Sequence, residues 1–187
     1  MYNKNVEQIL VNAFAGESMA RNRYDFYAKI ADKEGYKEIC DVFLETAKNE
    51  HEHAKLFYKH ISMGHHIVEA EYPFFIGSTI DNLKSAFEGE DEEWEVIYKK
   101  SAEIASEEGA EEVSKLFKCI IEVEKRHANR FRELYEEVLN DTIFKKDVLT
   151  RWECKKCGYI LTCREAPKEC PCCEHPQGYF KTFCEKY

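Results

Sequence analysis

Proline and glycine are scarce in this chain of 187 residues, with only 4 and 8 of them. That scarcity excludes collagen-like, low-complexity and disordered classes. No run of about 18 apolar residues occurs, so no transmembrane helix is expected. Residues Met1–Asn5 lead straight into mixed polar sequence, without the apolar stretch of a signal peptide. A soluble, cytoplasmic chain with no membrane partner is expected. Positive charge is also short, 27 Lys and Arg against 36 Asp and Glu, for a net charge of −9. An acidic chain of this kind argues against nucleic acid as the main partner.

Cysteine is nearly absent from the first 150 residues, where Cys40 and Cys119 read as buried apolar side chains. The other seven of nine cysteines lie after residue 150, with three of the four prolines. Charge breaks at the same place: residues 151–187 hold seven Lys or Arg and five Asp or Glu. Two domains are expected, 1–145 and 151–187, with a slightly basic tail able to dock on an acidic body. A cysteine cluster in an intracellular chain reads first as a metal site.

The body reads as four helices. Gly35 and Gly109 mark short turns, so helices one and two, and three and four, are antiparallel neighbours. Residues 65–77 form a longer link containing Pro73 and the run Tyr72-Pro73-Phe74-Phe75-Ile76. The simplest architecture is mainly α, a ferritin-like four-helix bundle with one long crossover. The inward stripe of the third helix is predicted to run Ala86, Glu90, Glu93, Ile97, Ser101, Ile104. The halves match at an offset of 74 residues: Tyr24 with Tyr98, Gly35 with Gly109, Phe43 with Phe117, Glu50 with Glu124, His53 with His127.

Carboxylates sit where a core should be. Glu17, Glu50, Glu90, Glu93 and Glu124 fall on inward stripes, with His53 and His127. Glu50 and His53, like Glu124 and His127, are three residues apart and share a helix face. Ionised carboxylates buried together repel, and no Lys or Arg on these stripes neutralises them. A pair of cations resolves the conflict, and a carboxylate and imidazole donor set suits iron or manganese. Glu from two helices and Glu-x-x-His from two others is the di-iron carboxylate pattern of ferritin-like bundles. Tyr24 and Tyr98 lie near these positions, as core packing or as hydrogen-bond donors to the ligands.

In the tail, Cys154-x-x-Cys157 and Cys170-x-x-Cys173 form two thiolate knuckles for one tetrahedral ion. Cys172 stands between two of these ligands, and Cys163 and Cys184 have no assigned role. Spacing alone leaves zinc and iron open: zinc would make a structural ribbon, iron a one-electron carrier. A di-iron site in the same chain needs electrons, which favours iron.

These parts together resemble the rubrerythrins over essentially the whole chain. The resemblance rests on Gly16-Glu17-Ser18-Met19-Ala20-Arg21-Asn22-Arg23-Tyr24, Glu50-His51-Glu52-His53-Ala54-Lys55, Gly89-Glu90 with Glu93, Glu124-Lys125-Arg126-His127, and the terminal Cys-x-x-Cys-Gly-Tyr and Cys-Pro-x-Cys runs. It implies a rubredoxin-like β/loop domain behind a non-haem di-iron bundle. It implies a peroxidase that reduces hydrogen peroxide to water in an anaerobe or microaerophile. The donor would be a separate reductase. It also implies a homodimer in which one subunit's tail lies near the other's di-iron site. By resemblance Glu17, Glu50, Glu93, Glu124 and His127 would bind the irons. Glu90 and His53 would be the pair that exchange with oxidation state. Glu50 or Glu90 would relay a proton, and Tyr24 and Tyr98 would stand beside the site. The rival readings are a ferritin-like ferroxidase or oxygen-reducing protein, and a zinc-stabilised scaffold without redox function.

Overall fold

The computed structural model describes residues 2–185. Helix α1 spans Lys4–Glu34 and begins at Asn3, whose side chain accepts the Val6 N–H at 3.0 Å. It ends at Gly35, which adopts φ 88°, a left-handed conformation natural to glycine. Helix α2 spans Lys37–Tyr58 and returns antiparallel along α1. A crossover then runs beside α1, tied by Gln8 to the Ile67 carbonyl, Asn12 to Glu69 and the Tyr27 hydroxyl to the Phe75 carbonyl. Helix α3 (Thr79–Glu92) opens with a reciprocal Ser78–Asp81 capping box. It passes through a π-helical turn at Glu93–Ile97 into α4 (Tyr98–Glu107), and Gly109 turns the chain into α5 (Glu111–Leu139).

The π turn changes the expected inward stripe. A π turn holds one more residue than an α turn and rotates everything after it. Ile97 is therefore exposed and Ile104 only half-buried, while Tyr98, Ser101, Ala102 and Ala105 face inward. The same residue explains the internal repeat. Before the turn the halves match at an offset of 73, Leu10 with Leu83, Ala13 with Ala86 and Glu17 with Glu90; after it they match at 74.

Two apolar clusters fill the bundle, each centred on an aromatic triad. Tyr24, Phe43 and Phe131 pack with ring centroids 5.1–6.0 Å apart, and Tyr98, Phe117 and Phe57 at 4.8–5.8 Å. The triads are repeat-related, and the polar residues lie between them. Cys119 is exposed and Cys40 half-buried, so neither is the core residue expected; Cys119 falls on the outer face of α5.

The tail is a three-stranded antiparallel sheet, order β2-β1-β3, of β1 (Lys145–Cys154), β2 (Ile160–Glu165) and β3 (Phe180–Thr182). Trp152, Ala166 and Phe180 form its small core with two cysteines. It docks on the α1–α2 corner as the charge division suggested. Lys155 Nζ donates to the Lys37 carbonyl at 3.1 Å and pairs with Glu38 at 2.8 Å and with Asp41. Contact there is close: a Cβ on Gly178 would fall 1.8 Å from the Gly35 carbonyl oxygen.

Candidate metal centres

Four helices bring six buried side chains to one point between the aromatic triads. Glu17, Glu50, Glu90, Glu124 and His127 are at most 1% exposed, and His53 is 7% exposed. They form two groups, Glu17-Glu50-His53-Glu124 and Glu50-Glu90-Glu124-His127, within each of which donor atoms lie within 4.8 Å of one another. Glu50 and Glu124 belong to both. His53 Nδ1 lies 2.9 Å from Glu50 Oε2 and from Glu124 Oε1, and 3.5 Å from Glu17 Oε2. His127 Nδ1 lies 2.7 Å from Glu124 Oε2, 3.2 Å from Glu50 Oε1 and 3.9 Å from Glu90 Oε2. The internal repeat carries one group onto the other, residue by residue.

The outer oxygens are already bound. Tyr98 donates its hydroxyl to Glu17 Oε1 at 2.6 Å, and Tyr24 donates to Glu90 Oε1. The inner atoms face only one another: Glu17 Oε2, both Glu50 oxygens, His53 Nδ1, Glu90 Oε2 and Glu124 Oε1 are buried and find no partner outside the cluster. Orphaned acceptors are costly in a protein interior, and their convergence suits two cations that share two carboxylates.

The acid–base balance carries the same imprint. Burial, followed by repulsion from Glu124 and Glu50, holds Glu17 well above the usual carboxylate range. Burial, followed by repulsion from Glu50 and Glu124, does the same to Glu90. Burial also raises Glu50, but hydrogen bonds from His127 and His53 outweigh it and bring its carboxyl down to about 2. Burial lowers His127, yet Glu124 and Glu50 outweigh it and bring the imidazole up to about 9.

Glu93 stands apart. It belongs to neither group and instead lines a cavity of about 250 Å³ between the crossover and the π turn, with Gly16, Tyr72 and Tyr98. Glu90 sits with His127 inside the cluster, whereas Glu93 borders the neighbouring cavity. The physical reason is the π turn, which begins at Glu93 and draws the helix out of its regular phase there.

The tail brings together the four expected cysteines. Cys154, Cys157, Cys170 and Cys173 form one group, with Sγ–Sγ separations of 3.7 Å for Cys154–Cys173 and for Cys157–Cys170. Four sulfurs about 2.3 Å from a common ion would lie roughly 3.8 Å apart, so the site matches a tetrahedral metal. Each knuckle closes with a left-handed residue, Gly158 at φ 76° and Glu174 at φ 59°, whose N–H reaches back to the carbonyl of Cys154 or Cys170. Burial raises the Cys170 thiol, but the N–H groups of Cys172 and Cys173 outweigh it and bring it to about 7. Cys172 and Cys184 are exposed and Cys163 is half-buried, and all three lie outside the group.

Comparison with known proteins decides the family. The rubrerythrin family profile matches residues 8–135, and the profile of the rubrerythrin rubredoxin-like domain matches 152–181. The chain belongs to the rubrerythrin family. It is 47% identical over 183 residues to rubrerythrin-1 of Clostridium acetobutylicum, covering 95% of this chain and 94% of that one. It is 44% identical over 182 residues to a rubrerythrin of Porphyromonas gingivalis, covering 97% and 91%. Among solved structures it is similar to mixed-valent nigerythrin, with a TM-score of 0.64 and 27% identity over 98% of this chain and 88% of that one. The bundle also shares its fold with a Desulfovibrio desulfuricans bacterioferritin, TM-score 0.66 at 23% identity over 73% and 81%. This rubrerythrin-family chain thus carries a ferritin-like di-iron site of buried Glu and His residues and a rubredoxin-like four-cysteine site consistent with iron. No described helix is long and apolar enough to cross a membrane.

Sequence reasoning missed two features. Glu17 and Glu90 are repeat partners, visible only at an offset of 73. Asn49, on the α2 turn before Glu50, belongs to neither metal group, yet its Oδ1 accepts a hydrogen bond from His127 Nε2 at 3.2 Å. No periodicity marks that residue.

Proposed function

We propose that this protein is a peroxidase that reduces hydrogen peroxide to water, with electrons delivered through the four-cysteine iron, and that it protects an anaerobe or microaerophile from oxidative stress. The observation that carries this reading is the buried pair of repeat-related donor groups sharing Glu50 and Glu124, in one chain with a thiolate site whose Cys157 is exposed. In the proposed assignment Glu17, Glu50, Glu124 and His53 hold one iron. Glu50, Glu90, Glu124 and His127 hold the other. Bound there, a di-iron pair supplies two electrons and Lewis acidity for cleaving an O–O bond.

The protein groups do the rest. Tyr98 and Tyr24 fix the outer oxygens of Glu17 and Glu90, so that each presents one inner oxygen. Glu93 lines the cavity next to the centre, where it would serve as a further carboxylate ligand or as a proton donor. The aromatic triads keep bulk water out.

The electron path calls for a second copy of the chain. The tail docks at Glu38 and Asp41. At 1.5 Å per residue that turn of α2 lies roughly 14–18 Å from Glu50 along the helix. A head-to-tail homodimer, with one subunit's tail beside the other's bundle, supplies the shorter route; a separate reductase feeds the tail.

The test is anaerobic. The iron-loaded protein is reduced, mixed with a small excess of peroxide or a matched amount of dioxygen, and followed by the thiolate-to-ferric colour of the tail. Faster colour return with peroxide is expected. Faster return with dioxygen would indicate an oxidase or ferroxidase, and a tail that is colourless in every state would contain zinc.

A further inference from the structure

The two halves of the centre differ in how their histidines are held. His127 Nε2 meets Asn49 Oδ1 at 3.2 Å, and its Nδ1 points at Glu124 and Glu50. An oxygen acceptor at Nε2 places the ring proton there and leaves the Nδ1 lone pair for a metal. His53 occupies the repeat-related position, with Nδ1 likewise directed inward. Its Nε2 has no hydrogen-bond partner among the described residues. The residue that the repeat places opposite Asn49 is Val123, at an offset of 74, and its side chain can accept no hydrogen bond.

A second asymmetry falls beside the same histidine. Position 20 in α1 is a buried Ala, and its partner at an offset of 73 is Glu93. Glu93 borders the cavity of about 250 Å³. One half of the centre therefore has a pinned imidazole. The other has an unpinned imidazole, a spare carboxylate and room beside it.

We propose that Asn49 is a positioning residue that locks His127 to its iron in every oxidation state, and that Val123 at the matching place leaves His53 free to withdraw. The Asn49/Val123 difference, more than any difference among the ligands, then decides which half of the centre can change. This rests on the ligand assignment proposed above, but not on peroxide being the substrate.

The test compares wild type, Asn49→Val, Val123→Asn and the double exchange in the full-length iron-loaded protein. Crystals are examined reduced and after oxidation with ferricyanide, which needs no peroxidase activity. In wild type, His53 is expected to change place between the two states and His127 to stay. In Asn49→Val, His127 is expected to move as well; in Val123→Asn, His53 is expected to stay; in the double exchange the two roles swap. Asn49→Asp keeps the acceptor and should restore a fixed His127.

A second readout uses zinc-loaded, diamagnetic protein. The His127 Nε2–H signal should exchange with solvent at least tenfold faster in Asn49→Val and at the wild-type rate in Asn49→Asp. A His127 that stays fixed and exchanges slowly without Asn49 would overturn the proposal, as would a wild-type His127 that moves on oxidation. If instead the ligands behave as expected while wild-type protein shows no peroxide turnover, only the peroxidase reading fails.

Discussion

The α1–α2 half and the α3–α5 half of the bundle are built on one plan, and a single added residue separates them. Aromatic triads, shared carboxylates and Glu-x-x-His pairs all superpose in sequence. The extra residue is taken up in the π turn at Glu93–Ile97. Without it, Tyr98 would fall out of register with Glu17, and the matching hydrogen bonds of Tyr24 and Tyr98 could not both form. The comparison teaches that the protein keeps symmetry where two metals must be matched. It breaks symmetry at Glu93 and around His53.

The largest expected effect breaks both halves together. Glu50 and Glu124 each serve both donor groups. Glu50→Ala or Glu124→Ala should lower bundle iron from two to none, whereas Glu17→Ala should leave about one, as read by metal analysis against the tail colour. Equal losses in all three variants would show that the halves do not load separately.

Replacing Glu93 by Ala, the residue its partner position already holds, removes the asymmetry itself. Two irons should still bind, with reoxidation by peroxide slowed about a hundredfold to ten-thousandfold, the usual range for a lost proton-transfer group. Unchanged reoxidation would leave Glu93 without a part in the chemistry.

Metal removal should reverse the pH dependence of stability in the bundle but not in the tail sheet. In the metal-free fold Glu17, Glu90 and Glu93 are raised, Glu93 to about 8, as are His53 and His127. Groups with raised folded pKa values hold extra protons in the native state, so their contribution is lost as pH rises. The metal-free bundle should therefore melt progressively lower from pH 5 to pH 9. Iron-loaded protein, whose ligands are deprotonated, should not follow that trend, and the gap should widen with pH. Parallel melting curves would refute the linkage.

Tyr24→Phe and Tyr98→Phe remove repeat-related hydrogen bonds to carboxylates. Each should cost about 1.5–3 kcal/mol in urea unfolding of the loaded protein, and by similar amounts in the two halves. A large difference between them would show that the symmetry is only geometric. The smallest effect belongs to the docking of the tail. Lys155 is itself half-buried, but its partners Glu38 and Asp41 are open to solvent that screens the pairs, so Lys155→Ala should cost about 1 kcal/mol and leave both metal contents intact.

Much of the centre was legible because its signals are local. Glu50 with His53 and Glu124 with His127 share a helical face by spacing alone, and two Cys-x-x-Cys knuckles need no partner to be seen. The different placements of Glu90 and Glu93 were not legible. Both fit a regular helical stripe, and only the π turn separates them. Ile97 and Ile104 were placed inward for the same reason, but Ile97 is exposed and Ile104 only half-buried. Asn49 was invisible because its importance lies in a contact with α5, 78 residues away.

The amino-acid order by itself determined the bundle, its repeat, the donor types and the cysteine-rich metal site of the tail. These follow from helical periodicity, from the cost of burying unpaired carboxylates, and from thiolate spacing. Only the tertiary structure decided which carboxylate joins which histidine, which stands aside, and which imidazole is pinned. Those outcomes depend on the phase shift at one turn and on contacts between helices that no local pattern encodes.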